Sequence, residues 1–171
     1  MISRKWISIA AASVVGIGAV AAGYGYVTHG SLNPLAIAQT VGGAGAKAEV
    51  YAQNGIAIKG ADPVAYFTQG QYVSGSSAHE YVWQGTTWQF SSAENRDLFA
   101  ANPEQYAPEY GGYCAWAVSQ GYTAPIDPTA WSIVDGKLYL NFNSEVQARW
   151  ERDIPGFISQ ANQNWPGVLA Q

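Results

Sequence analysis

The residues best suited to chemistry in this sequence are one cysteine and one histidine. Cys114 is the only cysteine of the 171 residues, and His79 is the only histidine after His29. A thiolate suits Cu(I), and a thiolate with an imidazole suits zinc, although a structural zinc site takes four ligands. The sequence therefore indicates Cys114 and His79 as candidate ligands of copper or zinc. Zinc would also need carboxylates such as Asp62 or Glu109.

Cys114 has other interpretations as well. It follows Gly111, Gly112 and Tyr113, and it precedes the apolar run at 115–118. The glycine pair favours a turn, and the apolar run favours a helix entering the interior. A thiol at a helix start would have a lowered pKa and could act as a nucleophile or redox group. A cysteine between aromatic residues is equally typical of a small buried apolar side chain.

Asp62 and Tyr66 form the second candidate set. They are four residues apart and could line a pocket with Cys114, where Tyr113 and Trp116 would add aromatic rings for a flat ligand or a cation. We predict ligand binding by Asp62, Tyr66, Tyr113 and Trp116. The alternative is that Asp62-Pro63 is a turn whose carboxylate accepts hydrogen bonds from nearby backbone.

The motifs of well-known enzyme classes are missing from the sequence. It contains neither a nucleophile elbow nor a glycine-rich phosphate loop of the required spacing. The sequence favours a non-catalytic binding module. Two alternatives stay open: a thiol-dependent or oxidative enzyme using Asp62, Tyr66 and Cys114, and a structural domain that binds a partner protein.

The composition indicates an aromatic, acidic domain. The chain has 7 Trp and 11 Tyr, and only 12% of its residues are charged. From residue 39 onward, 12 acidic residues face 6 basic ones, a formal charge of −6. This charge excludes a nucleic-acid footprint and favours a cation as the partner. No feature of the sequence indicates a protein partner.

The first 38 residues have the pattern of an export signal. Arg4 and Lys5 precede an uncharged stretch at 7–27, and Ala36-Ile37-Ala38 resembles a cleavage site. The same stretch is long enough to be an uncleaved membrane anchor. We expect an exported, periplasmic protein, either soluble or anchored to the inner membrane. A Gly/Ala-rich linker at 39–50 should lead to a domain at 51–171.

Local patterns along the domain predict a small α+β fold with antiparallel hairpins and short helices packed on them. Asp135-Gly136 is a strong hairpin signal, and Gln84-Gly85-Thr86 joins two aromatic strands. Ser91 with Glu94 predicts a capped helix to about residue 101, with Leu98 and Phe99 inward. The other predicted elements are a strand at 64–67, a helical turn at 103–106, and helices to 120, at 145–153 and at 155–164.

Five short motifs in order resemble a known family, the YHS domain-containing proteins, and in particular its exported bacterial branch. They lie within residues 51–168, at Gly60–Phe67, Trp88–Arg96, Asn102–Pro108, Gly111–Ala115 and Asn164–Pro166. The resemblance implies a compact α+β domain related to small metal-binding modules. Shorter members carry a cysteine where this chain has Ser91, so Cys114 is the thiol that remains.

Overall fold

Two small β-sheets form the framework of the chain, which a computed structural model describes over residues 46–171. The first sheet has the strand order β1-β2-β4-β3, in which β2 and β4 are parallel and the other neighbours antiparallel. The second sheet is the antiparallel pair β5-β6. The strands are β1 (Ala52–Gln53), β2 (Ile56–Ala57), β3 (Ser76–Trp83), β4 (Thr86–Phe90), β5 (Asp127–Val134) and β6 (Lys137–Asn141).

Short helices connect and cover the strands. The α-helices are α1 (Pro63–Thr68), α2 (Ala93–Ala101), α3 (Pro103–Tyr106), α4 (Ala115–Ser119), α5 (Ser144–Trp150) and α6 (Ile154–Asn164). Single 3-10 turns lie at Ile58–Gly60, Glu109–Gly112, Glu151–Asp153 and Gly167–Ala170. This architecture confirms the predicted α+β class.

The predicted leader at 1–38 lies outside the described residues, as does most of the predicted linker. The last linker residues pack on the domain: the Lys47 N–H donates to the Leu169 carbonyl at 2.8 Å, and Val50 is buried. The domain therefore begins a few residues before Tyr51. Within residues 46–171, no helix has the length and apolar character needed to cross a membrane.

The hairpin turns follow directly from the sequence. Gln84-Gly85 and Asp135-Gly136 both have positive φ at both residues, 49° and 70° in the first pair and 50° and 74° in the second. Two-residue hairpin loops of this type need positive φ at both positions and twist with the strands that they join. Both predicted hairpins are confirmed, as β3-β4 and β5-β6.

The strand predicted at 64–67 is wrong, because this segment is helix α1. Asp62 has an extended backbone, and its side chain accepts hydrogen bonds from the backbone N–H groups of Val64 and Ala65. Pro63 then occupies the first helical position. Proline suits this position because its fixed φ is helical and its missing N–H would be unpaired there anyway. The cap and the proline outweigh the β-propensity of the aromatic and branched residues that follow.

The start of α2 is one residue later than predicted. Ser92, not Ser91, is the N-cap, and its Oγ accepts from the Asn95 N–H at 3.1 Å. The inward face therefore carries Asn95 and Phe99, four residues apart, which are 7% and 0% exposed. Leu98, predicted to point inward, is 38% exposed.

Candidate functional site

Asp62 is a fully buried carboxylate with all its bonds inside the protein. Its Oδ1 caps helix α1 at 2.9 Å from the Val64 nitrogen and 3.3 Å from the Ala65 nitrogen. Its Oδ2 accepts from the Ser91 N–H at 2.8 Å, the Ser91 hydroxyl at 2.6 Å and the Asn95 amide at 2.7 Å. These bonds tie α1 to the end of β4 and to α2. The structure thus gives Asp62 the turn-forming role that was the alternative to ligand binding.

Tyr66 is also buried and bonded. Its hydroxyl donates to the Pro128 carbonyl at 2.7 Å, and its ring packs against Trp131 with the centroids 5.2 Å apart. Burial, with smaller contributions from nearby acidic groups, raises the pKa of the Tyr66 phenol well above its ordinary value. The hydroxyl is therefore a neutral donor that fastens α1 to the start of β5.

Cys114 lies at the start of α4 and is 1% exposed. Its Sγ is 3.8 Å from Oδ1 of Asn141, the same oxygen that accepts the Trp116 N–H at 3.3 Å. Burial raises the pKa of the Cys114 thiol, although hydrogen bonds from nearby backbone groups act in the opposite direction. The lowered pKa expected at a helix start is therefore wrong, because the loss of hydration outweighs the helix start.

The remaining predicted residues lie in different surroundings. The Tyr113 hydroxyl donates to the Ala48 carbonyl at 2.9 Å, which holds the N-terminal residues on the domain. Trp116 lines an apolar cavity of about 230 Å³ together with Tyr122 and Phe142. His79 lies in the irregular part of β3, where the pairing with β4 shifts register.

The predicted metal ligands can be compared with the clusters of ligating side chains that the described residues form. Across residues 46–171, no three side chains of His, Cys, Asp or Glu lie close enough to hold a metal ion. The described residues therefore do not supply the four ligands of a structural zinc site. Copper or zinc bound by Cys114 and His79 stays a prediction, as does ligand binding by Asp62, Tyr66, Tyr113 and Trp116.

A cleft of about 350 Å³ in the described domain is lined by none of these candidates, which are Asp62, Tyr66, His79, Tyr113, Cys114 and Trp116. Four separate chain segments form its wall. They are the residues before β1, the β3-β4 hairpin, the connection from α3 to the 3-10 turn at 109–112, and the residues after α6. The lining residues are Glu49, Val50, Trp83, Gln84, Trp88, Glu104, Ala107, Pro108, Glu109, Tyr110, Gly111, Trp165 and Pro166.

Four aromatic side chains dominate the cleft wall, and they pack as two pairs. The Trp83 and Trp88 centroids are 5.8 Å apart with the rings inclined by 58°. The Tyr110 and Trp165 centroids are 6.0 Å apart with the rings inclined by 59°. The Trp88 indole donates to the Trp83 carbonyl at 3.3 Å, and the Tyr110 hydroxyl bonds to the Asn162 amide oxygen at 2.9 Å. These contacts hold the rings in place.

The charged side chains of the cleft are all acidic. Glu49 and Glu104 are exposed and make no ion pair within the described part of the chain. Glu109 is less exposed and is 3.2 Å from the Lys137 Nζ. No lysine, arginine or histidine lines the cleft. The cleft, which we call the acidic aromatic cleft, therefore has a negative potential beside aromatic rings.

A close backbone contact lies in the wall of the acidic aromatic cleft, at Gly111. Gly111 has φ +60°, and its carbonyl accepts the Tyr51 N–H at 2.9 Å. A Cβ at this position would collide with the Glu49 carbonyl oxygen. Glycine is therefore required at this position both for its conformation and for the approach of the N-terminal segment.

The sequence alone does not indicate this cleft. In the sequence, Glu109 stands out only as a possible zinc ligand, and Trp165 only as part of the motif Asn164–Pro166. Trp83 and Trp88 likewise have only the pattern of strand residues. They are distinguished by lining the same cleft as Tyr110 and Trp165, which only the folded structure shows. The acidic charge, which favoured a cation as partner, was the one relevant signal in the composition.

Comparison with known proteins supports the resemblance seen in the motifs. The family model of the YHS domain matches residues 64–110, a range that contributes Trp83, Trp88, Glu104 and Tyr110 to the cleft. No curated protein and no solved structure matches the chain.

Proposed function

We propose, from the premise that this chain is a YHS domain-containing protein, that its domain is a non-catalytic binding module with the acidic aromatic cleft as its ligand site. One observation carries the proposal. Four distant segments converge on a cavity of about 350 Å³ that combines ring surfaces with carboxylates. Cavities that bind small molecules have this character and a volume of about 300–1,000 Å³.

The contacts of the other candidates favour the cleft over them. The carboxylate oxygens of Asp62 and the hydroxyl of Tyr66 already have protein partners. Cys114 is buried, and its raised pKa keeps the thiol protonated near neutral pH. A nucleophile needs the thiolate form and access to a substrate. These features support a binding role over the thiol-dependent or oxidative enzyme.

The cleft can be tested without knowing the ligand. A library of small fragments, charged and neutral, is added to the ¹⁵N-labelled full-length chain, and the indole N–H signals are followed by NMR. We expect a subset of fragments to shift the signals of the half-buried Trp83 and Trp165 while the buried Trp150 stays unchanged. Shifts confined to Trp116, beside the apolar cavity, or the lack of any shift would contradict the proposal.

Metal binding by Cys114 and His79 is a second, narrower candidate, which the family resemblance alone supports. The full-length chain is titrated with Cu(I) and Zn(II), with Cys114→Ser and His79→Gln as matched variants. Tight binding lost in both variants would support the predicted ligand pair. Equal binding by all three proteins would overturn it.

We also propose that the protein is exported, since Arg4 and Lys5 precede the uncharged stretch at 7–27. Protease added to intact spheroplasts should digest the domain if it is periplasmic and anchored. Release with the periplasmic fraction would indicate a cleaved leader, and full protection inside the spheroplasts would refute export.

A further inference from the structure

We propose that the ligand of the acidic aromatic cleft is a small organic cation, an alkylated ammonium compound. The inference rests on the proposed function and names the chemical class that the cleft selects. Three observations support it: the aromatic rings of the cleft, the negative charge of its wall and the spacing of its carboxylates.

The rings are suited to an alkylated cation. Trp88 and Tyr110 are only 1% and 5% exposed, so the rings that a ligand can contact directly are those of Trp83 and Trp165, which are half-buried. A quaternary ammonium group is attracted by the negative face of an aromatic ring, and Trp gives the strongest attraction. Both of these accessible rings belong to Trp.

The charge of the cleft selects the sign of the ligand. Glu49, Glu104 and Glu109 line the cleft without a basic lining residue, and Lys137 pairs only with Glu109. An anion would be repelled by this wall. A neutral aromatic compound could stack on the rings, but it would gain no electrostatic attraction from the carboxylates.

The arrangement of the carboxylates favours an organic cation over a metal ion. A metal ion needs several donor atoms within about 2.0–2.6 Å of one point. The cleft carboxylates do not form such a group, since no three acidic, histidine or cysteine side chains of the described domain converge. An alkylated ammonium ion requires only ring contacts and a diffuse negative charge, both of which the cleft offers.

The test compares choline with 3,3-dimethylbutan-1-ol, a neutral molecule of the same shape. Binding of each compound to the full-length chain is measured by NMR titration of the Trp83 and Trp165 indole signals. We expect choline to bind at least about tenfold more tightly than the neutral compound, and added salt to weaken choline alone. Ca²⁺ and Zn²⁺ serve as inorganic cation probes.

Substitutions of exposed carboxylates separate charge from folding. The double variant Glu49→Gln, Glu104→Gln should lower choline affinity several-fold and leave the neutral compound unaffected. Glu94→Gln removes an exposed carboxylate of α2 outside the cleft and should leave both affinities as they are.

Three results would overturn the inference. Equal binding of choline and its neutral analogue would show that charge is not recognised. Tighter binding of Ca²⁺ or Zn²⁺ at the same indole signals would assign the cleft to a metal ion. Indole shifts caused by other fragments but not by choline would also refute the organic cation. In each of these three cases the proposal that the cleft is a ligand site would still hold. If no compound shifts the cleft signals, the proposed function itself fails.

Discussion

At the scale of single residues, the groups that look most reactive in the sequence serve as internal connections. Asp62 is the clearest example, because one oxygen caps a helix and the other gathers three donors from Ser91 and Asn95. The Ser91 hydroxyl and N–H both bind the buried carboxylate.

Substitutions can distinguish what the two carboxylate oxygens of Asp62 contribute to the free energy of unfolding. Asp62→Ala should lower the free energy of unfolding by about 3–5 kcal/mol, because it removes the helix cap and leaves the donors of Ser91 and Asn95 buried without an acceptor. Asp62→Asn keeps an oxygen for the cap but places an NH₂ group against those donors, so we expect a loss of about 1–3 kcal/mol.

Urea denaturation measures both Asp62 variants, with Ser91→Ala as the control that removes only one hydroxyl. The control should cost about 1 kcal/mol, the usual net value of one hydrogen bond. An Asp62→Asn protein as stable as the original would show that the Oδ2 contacts contribute little.

At the scale of elements, short-range signals and close contacts both decide where the chain turns. Asp135-Gly136 and Gln84-Gly85 are turn pairs whose conformations follow from local chemistry, and a Cβ at Gly85 or Gly136 would meet no atom within 4 Å. Gly111 has a similar φ but lies against the Glu49 backbone. Glycine is thus needed at positions 85 and 136 for its backbone conformation alone, and at position 111 also for a close contact with a distant chain segment.

This contrast predicts different costs for the same substitution. Gly136→Ala should lower the free energy of unfolding by about 1–2 kcal/mol, the cost of a left-handed conformation for a residue with a Cβ. Gly111→Ala carries the same cost and also forces the Glu49 segment away, which should add about 1–3 kcal/mol.

Thermal or urea denaturation of the two glycine variants gives this comparison directly. Because Gly111 and Glu49 both line the cleft, Gly111→Ala should also change the Trp165 indole signal, whereas Gly136→Ala should not. Equal losses of stability in the two variants would mean that the Glu49 segment moves at no cost.

At the scale of the whole molecule, large buried aromatic side chains make up much of the core of the domain. Tyr66, Tyr110 and Tyr139 are 1%, 5% and 3% exposed, and burial raises the pKa of each phenol. For Tyr139 the pKa rises to about 12, with burial as the main cause and Glu109 and Asp135 as further ones. Folding therefore depends on keeping these hydroxyls protonated.

The pH dependence of stability follows from this shift. In the unfolded chain a tyrosine ionises near its ordinary pKa of about 10, whereas Tyr139 in the folded protein holds its proton to about pH 12. The unfolded state therefore binds fewer protons between these values. The contribution of Tyr139 to the free energy of unfolding should be constant below about pH 9 and should fall as the pH rises through this window.

Tyr139→Phe provides the matched comparison, since it removes the ionisable hydroxyl and keeps the ring. The variant and the original protein should unfold at similar urea concentrations at pH 7, and the variant should become relatively more stable from about pH 10 upward. Identical pH profiles would show that Tyr139 does not contribute to alkaline unfolding.

The sequence by itself determined the features that depend on neighbours along the chain. The two hairpins, the last two helices and the α+β class all follow from turn pairs, caps and periodicity, and the five ordered motifs indicated the family. Helix α1 is an exception, because two local signals compete there. The Asp62-Pro63 pair favours a helix start, whereas the β-propensity of Val64 to Phe67 favours the strand that we predicted.

Only the tertiary structure decided which residues share the acidic aromatic cleft. The acidic aromatic cleft joins Glu49, the Trp83 hairpin, Glu104 and Trp165, which are separated by up to 116 residues along the chain. No local pattern encodes such a meeting, because it depends on how the sheets and helices pack. Burial likewise decided the state of Cys114, since the loss of hydration raises its pKa regardless of the residues beside it in the sequence.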